Sequence, residues 1–233
     1  MSLGMNRNSQ TNLKNATNSE TPNEYAIRRV NLILNNITKV NFQVKSVELK
    51  RCLSLFHSRW LSSLIIDRTA NQSNSFEIYQ QLILELNNNW NTNFLKTVLS
   101  DLTLKIDELL RPNKMNYENS RYLRVYGKLL GRLILSRDLE MPVDLKILLF
   151  VFNKKHPKDL EYIVTFIVNI LREAKHGKQF SLKNTWLIDN LQALKELHEL
   201  TDKLAIQFEV EELFRNLDCP MADVKASFYL RQV

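Results

Sequence analysis

Four histidines, His57, His156, His176 and His198, and two cysteines, Cys52 and Cys219, are the side chains best suited to metal ligation or nucleophilic attack. Zinc needs its ligands at short, defined spacing, and these residues stand singly along the chain. The cysteines have no C-x-x-C partner and read as small buried hydrophobes of a reducing compartment. Each histidine reads as a surface or packing residue. The sequence holds no phosphate-cradling glycine loop and no G-x-S-x-G elbow. Paired acids occur at Glu211 with Glu212 and at Glu196 with Glu199, an arrangement that can serve general acid–base work. Adjacent acids on a helix point apart, so a solvated face is the simpler reading. No catalytic, metal or cofactor site is expected, and the chain is not expected to be an enzyme.

Charge is the more suggestive chemistry. Arg111, Lys114, Arg121, Arg124, Lys128, Arg132 and Arg137 face a single acid, Glu118, within one stretch. Tyr117, Tyr122 and Tyr126 interleave with them. Part of this run could form a basic stripe suited to phosphate or to an acidic protein surface, with tyrosines that stack bases. The other reading is a solvated face whose tyrosines cover the core. Gly127 and Gly131 form a G-x-x-x-G in the same stretch. Lys128 and Arg132 interrupt the apolar run that a membrane dimerisation face requires. Close approach of a neighbouring helix is the expected role, because a mid-helix glycine costs about 1 kcal/mol against alanine and a packing gain must offset it.

The elements that position these residues are helices. The 233 residues include only 4 Gly and 5 Pro, too few for the tight turns of a sheet protein this long. Hydrophobic residues at 44% and charged residues at 24% are ordinary for a globular domain that builds its own core. The net charge of +7 permits an acidic partner or nucleic acid without demanding either. No apolar run approaches the roughly 18 residues of a membrane span. The Asn/Ser/Thr-rich residues 1–22 are expected to form a flexible polar tail, with Met5 setting Met1 to Gly4 apart as a leader. A helical-repeat domain is expected over 23–218, and 219–233 as a C-terminal extension.

Within the domain, Thr21 and Pro22 are expected to start the first helix, with Val30, Ile33, Leu34 and Ile37 on its stripe. A second segment carries Val47, Leu49, Leu53, Phe56, Trp60, Leu64 and Ile65. After the polar break 71–75, helical spacing resumes from Phe76 to the asparagines 87–89. It continues over Phe94 to Leu110, Tyr122 to Leu135, Leu145 to Phe152, Leu160 to Leu171, Trp186 to Leu197 and Phe208 to Leu217. Helices joined by short polar breaks predict an all-α, HEAT-like solenoid of about five antiparallel helical hairpins. A compact bundle is the alternative.

Several stretches then resemble a known family, the middle domain of the Not-one scaffold of the Ccr-four–Not deadenylase complex. That domain has the fold type of the middle domain of translation initiation factor four-G. The similar stretches are VNLILNNIT with VELK, the FEIY region, YGKLLGRLIL, VDLKILL, LEYIVTFIVNIL, NTWLIDNLQALKELHEL and FEVEELFRNL, in the family's order from Val30 to Leu217. The resemblance implies a scaffold of messenger RNA deadenylation and translational repression, in the cytoplasm including P-bodies and also in the nucleus. One surface would dock a Caf-type deadenylase that bridges to the Ccr-type nuclease, and no motif places its contacts. Another would hold a DEAD-box RNA helicase and stimulate its ATPase by shifting its lobes' population. Other complex subunits would be reached through the rest of a longer parent chain, and RNA only indirectly.

The family's helicase-facing Arg and Asn fall here on Arg68 and Asn74, with Arg132 and Arg137 adding to the same face. The family's Asn-Pro-Trp reads Asn184, Thr185, Trp186 here, and the loop after Leu110 differs in length. Direct RNA binding through the Arg111 to Arg137 run, and a cap-binding or nonsense-mediated-decay relative of the same fold, are the competing readings.

Overall fold

In a computed structural model, residues 21–111, 114–137, 139–177 and 184–231 are described. The expected flexible tail, apart from Thr21 and Pro22, lies outside them. Among the described residues the chain is all-helical, with ten α-helices and four short 3-10 turns. The helices are α1 (Glu24–Asn36), α2 (Phe42–Cys52), α3 (Ser58–Asn71), α4 (Phe76–Asn89) and α5 (Phe94–Leu109). They continue with α6 (Tyr117–Leu135), α7 (Leu145–Lys155), α8 (Leu160–Leu171), α9 (Thr185–Leu200) and α10 (Leu204–Asn216).

Two starting assignments change. Asn23, not Thr21, caps α1: its backbone is extended and its side chain accepts from Ala26 N at 2.9 Å. That is the job of an N-cap, which satisfies one of the four orphan N–H groups of the first turn. The second apolar segment is not one helix, because α2 stops at Cys52 and a 3-10 turn, Leu55–His57, precedes α3. Ser54 and His57 close that turn reciprocally, with Ser54 N donating to His57 Nδ1 at 3.2 Å. Val47 and Phe56, grouped with the core stripe from sequence, point outward.

α6, α9 and α10 start earlier than expected, at Tyr117, Thr185 and Leu204, whereas α7 starts at Leu145 as expected. Asn116 caps α6 by accepting from Asn119 N at 2.8 Å, and Asp144 caps α7 through Ile147 N at 2.9 Å. Asn184 caps α9 through Leu187 N at 3.1 Å. Thr185 therefore occupies the first helical position, where the family's proline is favoured because its missing N–H bonds nothing there. A threonine loses only that preorganisation, so the substitution leaves the helix start intact.

One continuous core runs the length of the molecule, from Val30 and Ile33 in α1 to Val210 and Phe214 in α10. Each helix packs on its successor in the pairs α1–α2, α3–α4, α5–α6, α7–α8 and α9–α10. Further contacts link α3 with α5 and α6, α6 with α8, and α8 with α10. The contact between α6 and α8 is the most extensive among the described residues. It exists because of the glycines. A Cβ on Gly127 would lie 2.8 Å from Phe166 O, and one on Gly131 would lie 2.5 Å from Ile170 O. Both contacts are with backbone, which cannot swing away as a side-chain tip can. The G-x-x-x-G is a seat for a neighbouring helix, as its interrupted apolar run implied.

Residues 219–231 pack against α9. The chain turns back through Asp218, at φ 51°, with Asp218 N donating to Arg215 O and Cys219 N to Phe214 O. This is the paired-bond helix stop usually reserved for glycine. Lys195 Nζ then donates to the carbonyls of Met221 and Val224, at 3.0 and 2.6 Å. The Glu196 carboxylate accepts from Ser227 Oγ at 2.5 Å, Leu230 N at 3.0 Å and Arg231 N at 3.1 Å. Glu196 has no solvent exposure, which corrects its assignment to a solvated face. Its charge is tolerated because backbone and hydroxyl donors replace water around it. Glu199 and Glu211 do face solvent.

Candidate functional site

The residues assigned to helicase contact gather around one connection. Arg68 lies in the last turn of α3 and Asn74 in the 3-10 turn Ser73–Ser75 between α3 and α4, where its side chain is exposed. Arg132 reaches across from α6 to Glu77, in the first turn of α4, at 3.0 Å. Three of the four thus share a neighbourhood. Arg137 lies just past the end of α6, half-buried, with a buried Nε that has no hydrogen-bond partner.

Two of these arginines are engaged within the chain. Arg68 donates to the side-chain oxygens of Asn35 and Asn31, at 2.7 and 2.9 Å, tying α3 to α1. Amide oxygens leave its positive charge unneutralised. Arg132 sits in a different environment: it bonds the Glu173 carboxylate, bridges to Glu77, and lies 3.2 Å from His176 Nε2. Its side chain is 14% exposed and that of Glu173 6%, so this ion pair is largely desolvated. The His176 imidazole is held below its usual range, mainly by burial and by the Arg132 charge, with Glu173 opposing.

The basic run divides in the structure. Tyr117, Arg121, Arg124 and Lys128 recur at helical spacing on one stripe of α6, and Arg132 continues it. Arg121 and Arg124 are exposed and form no ion pair with any described carboxylate. Lys128 Nζ lies 4.1 Å from the centre of the Phe76 ring, which shelters its charge without cancelling it. Tyr117 is 75% exposed. Tyr126 belongs to the core, and burial pushes its phenol well above the ordinary value. Tyr122 lies between these extremes, its OH 3.3 Å from Asn71 Oδ1. A cleft of about 350 Å³ opens here, between the end of α3 and the start of α6. Asn71, Tyr117, Arg121, Tyr122 and Arg124 line it.

Two exposed apolar stripes escaped the sequence reading. Val40, Val44 and Val47 recur at four- and three-residue spacing along the start and outer face of α2, and Val40 is 99% exposed. Val44 and Val47, with Gln43, Glu48 and Arg51, line an open groove of about 510 Å³. The signal was present: Phe42, Ser46 and Leu49 already supply the inward stripe of this helix, so a second apolar stripe exceeds what one core face needs. Leu204 and Phe208 are exposed on α10, but the Arg215 guanidinium lies over the Phe208 ring at 5.9 Å.

Among the described residues no group of three His, Cys, Asp or Glu could hold a metal ion, and no helix is long and apolar enough to cross a membrane. Cys219 is buried and Cys52 half-buried, and burial raises both thiols, the opposite of an activated nucleophile.

Similarity to known proteins bears on these surfaces. A family model described as the CCR4-NOT transcription complex subunit 1 CAF1-binding domain matches residues 18–233. The chain is 27% identical over 219 residues to the General negative regulator of transcription subunit 1 of Saccharomyces cerevisiae, covering 91% of this chain and 10% of that protein. It is 26% identical over 201 residues to the protein of that description from Schizosaccharomyces pombe, covering 83% of this chain and 9% of that protein. The chain therefore spans about a tenth of the length of these relatives. With the family match spanning all ten described helices, this chain belongs to the family of the CCR4-NOT transcription complex subunit 1 CAF1-binding domain.

Proposed function

We propose that this domain is a non-catalytic scaffold of messenger RNA deadenylation that docks a Caf-type deadenylase. The observation that carries the reading is the family match over residues 18–233, whose description names that binding role. The exposed valine stripe of α2 is the surface we assign to the nuclease. Its valines are left uncovered by the described residues, and a docked protein would remove them from water. The pairing of successive helices supports a HEAT-like stack of about five hairpins, of the type found in the middle domain of initiation factor four-G.

A second surface, at the α3–α4 connection, is assigned to a DEAD-box helicase, whose ATPase it would stimulate. Arg68, Asn74, Arg132 and Arg137 are its proposed contacts, supported by the convergence of the first three on that connection. Arg68 and the exposed Asn74 are the better suited, since Arg132 already serves two carboxylates. The domain would act in the cytoplasm, including P-bodies, with access to the nucleus.

Co-purification tests the whole reading. The domain is expected to retain a Caf-type nuclease and, separately, a DEAD-box helicase of the decay pathway. Val44→Asp with Val47→Asp should abolish nuclease retention and spare the helicase, and Arg68→Glu should do the reverse. Failure to retain the nuclease at micromolar concentration overturns the proposed function. Retention that survives the valine substitutions moves the docking surface off α2.

A further inference from the structure

Along the stripe of α6, Arg121 and Arg124 project into solvent without carboxylate partners among the described residues, and Lys128 follows over Phe76. Several other cations of the chain are ion-paired, in contrast to these two. Arg28, Arg29, Lys45, Lys50, Lys105 and Arg132 all hold carboxylates. The same stripe begins with Tyr117, whose ring is largely in water although a tyrosine buries well. Beside it, Tyr122 and Asn71 close the back of the cleft through their hydrogen bond.

We infer that this cleft and stripe bind single-stranded RNA directly. Arg121, Arg124 and Lys128 would track successive phosphates, and the Tyr117 ring would stack one base at the mouth of the cleft. The helix places the three cations about 4.5 and 6 Å apart along its axis, a ladder fit for a linear polyanion. A cleft of about 350 Å³ holds one base but no folded duplex edge. Asn71 accepts from Tyr122 and donates one amide hydrogen to Asp67 O at 2.8 Å, which leaves its second amide hydrogen for a base acceptor. An acidic peptide would satisfy the cations but would leave the exposed ring without purpose, and the pairing of flat aromatic with adjacent unneutralised cations favours a nucleic acid. Glu118, also lining the cleft, repels any anion placed there, so the phosphates run along the Arg121–Lys128 stripe and only a neutral base enters the cleft.

The inference goes beyond the scaffold reading and does not depend on it. Its test is fluorescence anisotropy of the domain with a labelled oligoadenylate of about 12 nucleotides. Binding through three phosphates predicts a loss of about twentyfold in affinity between about 50 and 200 mM salt. Arg121→Glu with Arg124→Glu should lower affinity at least tenfold, with circular dichroism and nuclease retention unchanged. Tyr117→Ala should weaken binding about fivefold or more, whereas Tyr117→Phe should retain it, since the ring and not the hydroxyl stacks. Absence of binding at the lower salt overturns the proposal. So does binding indifferent to the double substitution, or displacement of the RNA by polyglutamate at equal charge concentration, which would reassign the stripe to an acidic protein.

Discussion

The two halves of α6 carry the same residue types on one stripe and meet opposite surroundings. In the first half, Arg121 and Arg124 stand in water beside the exposed Tyr117. In the second half, Gly127 and Gly131 press backbone to backbone against α8, and Arg132 is enclosed by Glu77, Glu173 and His176. A run of basic residues is therefore not one feature. Where a helix is packed, its cations become internal struts. Where it projects past its neighbours, the same residue type is left for a partner.

The sharpest way to break this contrast is to fill the glycine seat. Gly131→Leu would drive a side chain into the Ile170 backbone and should cost about 4 kcal/mol or more, with loss of cooperative thermal unfolding. Next in size is Arg132→Ala, which strands the buried Glu173 carboxylate and should cost about 3 kcal/mol in denaturant titration. Adding Glu173→Gln should recover part of that loss, because the uncompensated charge disappears.

Changes in the open half should barely register in stability. Arg121→Ala and Arg124→Ala are each expected to stay within about 0.5 kcal/mol of the parent in the same titration. An effect as large as that of Arg132→Ala would erase the distinction between the halves.

The smallest expected effect is a pH slope. The His176 pKa is lowered in the folded chain, so below the ordinary imidazole value the unfolded chain binds the proton first. Stability should then fall as pH drops from about 6.5 through the folded value, and rise back with pH. His176→Gln should flatten this slope in urea titrations at stepped pH.

Much of this was legible in the chain, for reasons that differ by residue. The apolar stripe of α1, with Val30, Ile33 and Leu34, was read correctly because one buried face imposes helical spacing directly. The glycine seat was legible because glycine is costly in mid-helix unless something approaches. The break between α2 and α3 was not, since Ser54 and His57 make a turn through reciprocal bonds that apolar spacing does not record. Glu196 was misassigned because its donors come from residues 31 to 35 positions later, beyond any local pattern. Val47 was grouped with the core for a related reason, and Val40 and Val44 were not singled out: sequence gives the amphipathic faces of a helix but not which neighbour covers each.

By itself, then, the amino-acid sequence determined the helical class, the approximate sequence of helices, the lack of clustered catalytic motifs and the family resemblance. These follow from near-neighbour spacing, turn-former scarcity and residue type, which are local quantities. Only the tertiary structure decided which cations are struts and which are free, which acid is buried, and which apolar stripe is left uncovered. Those outcomes depend on what lies across the helix interface, and burial and Coulomb interaction are set by that distance rather than by position along the chain.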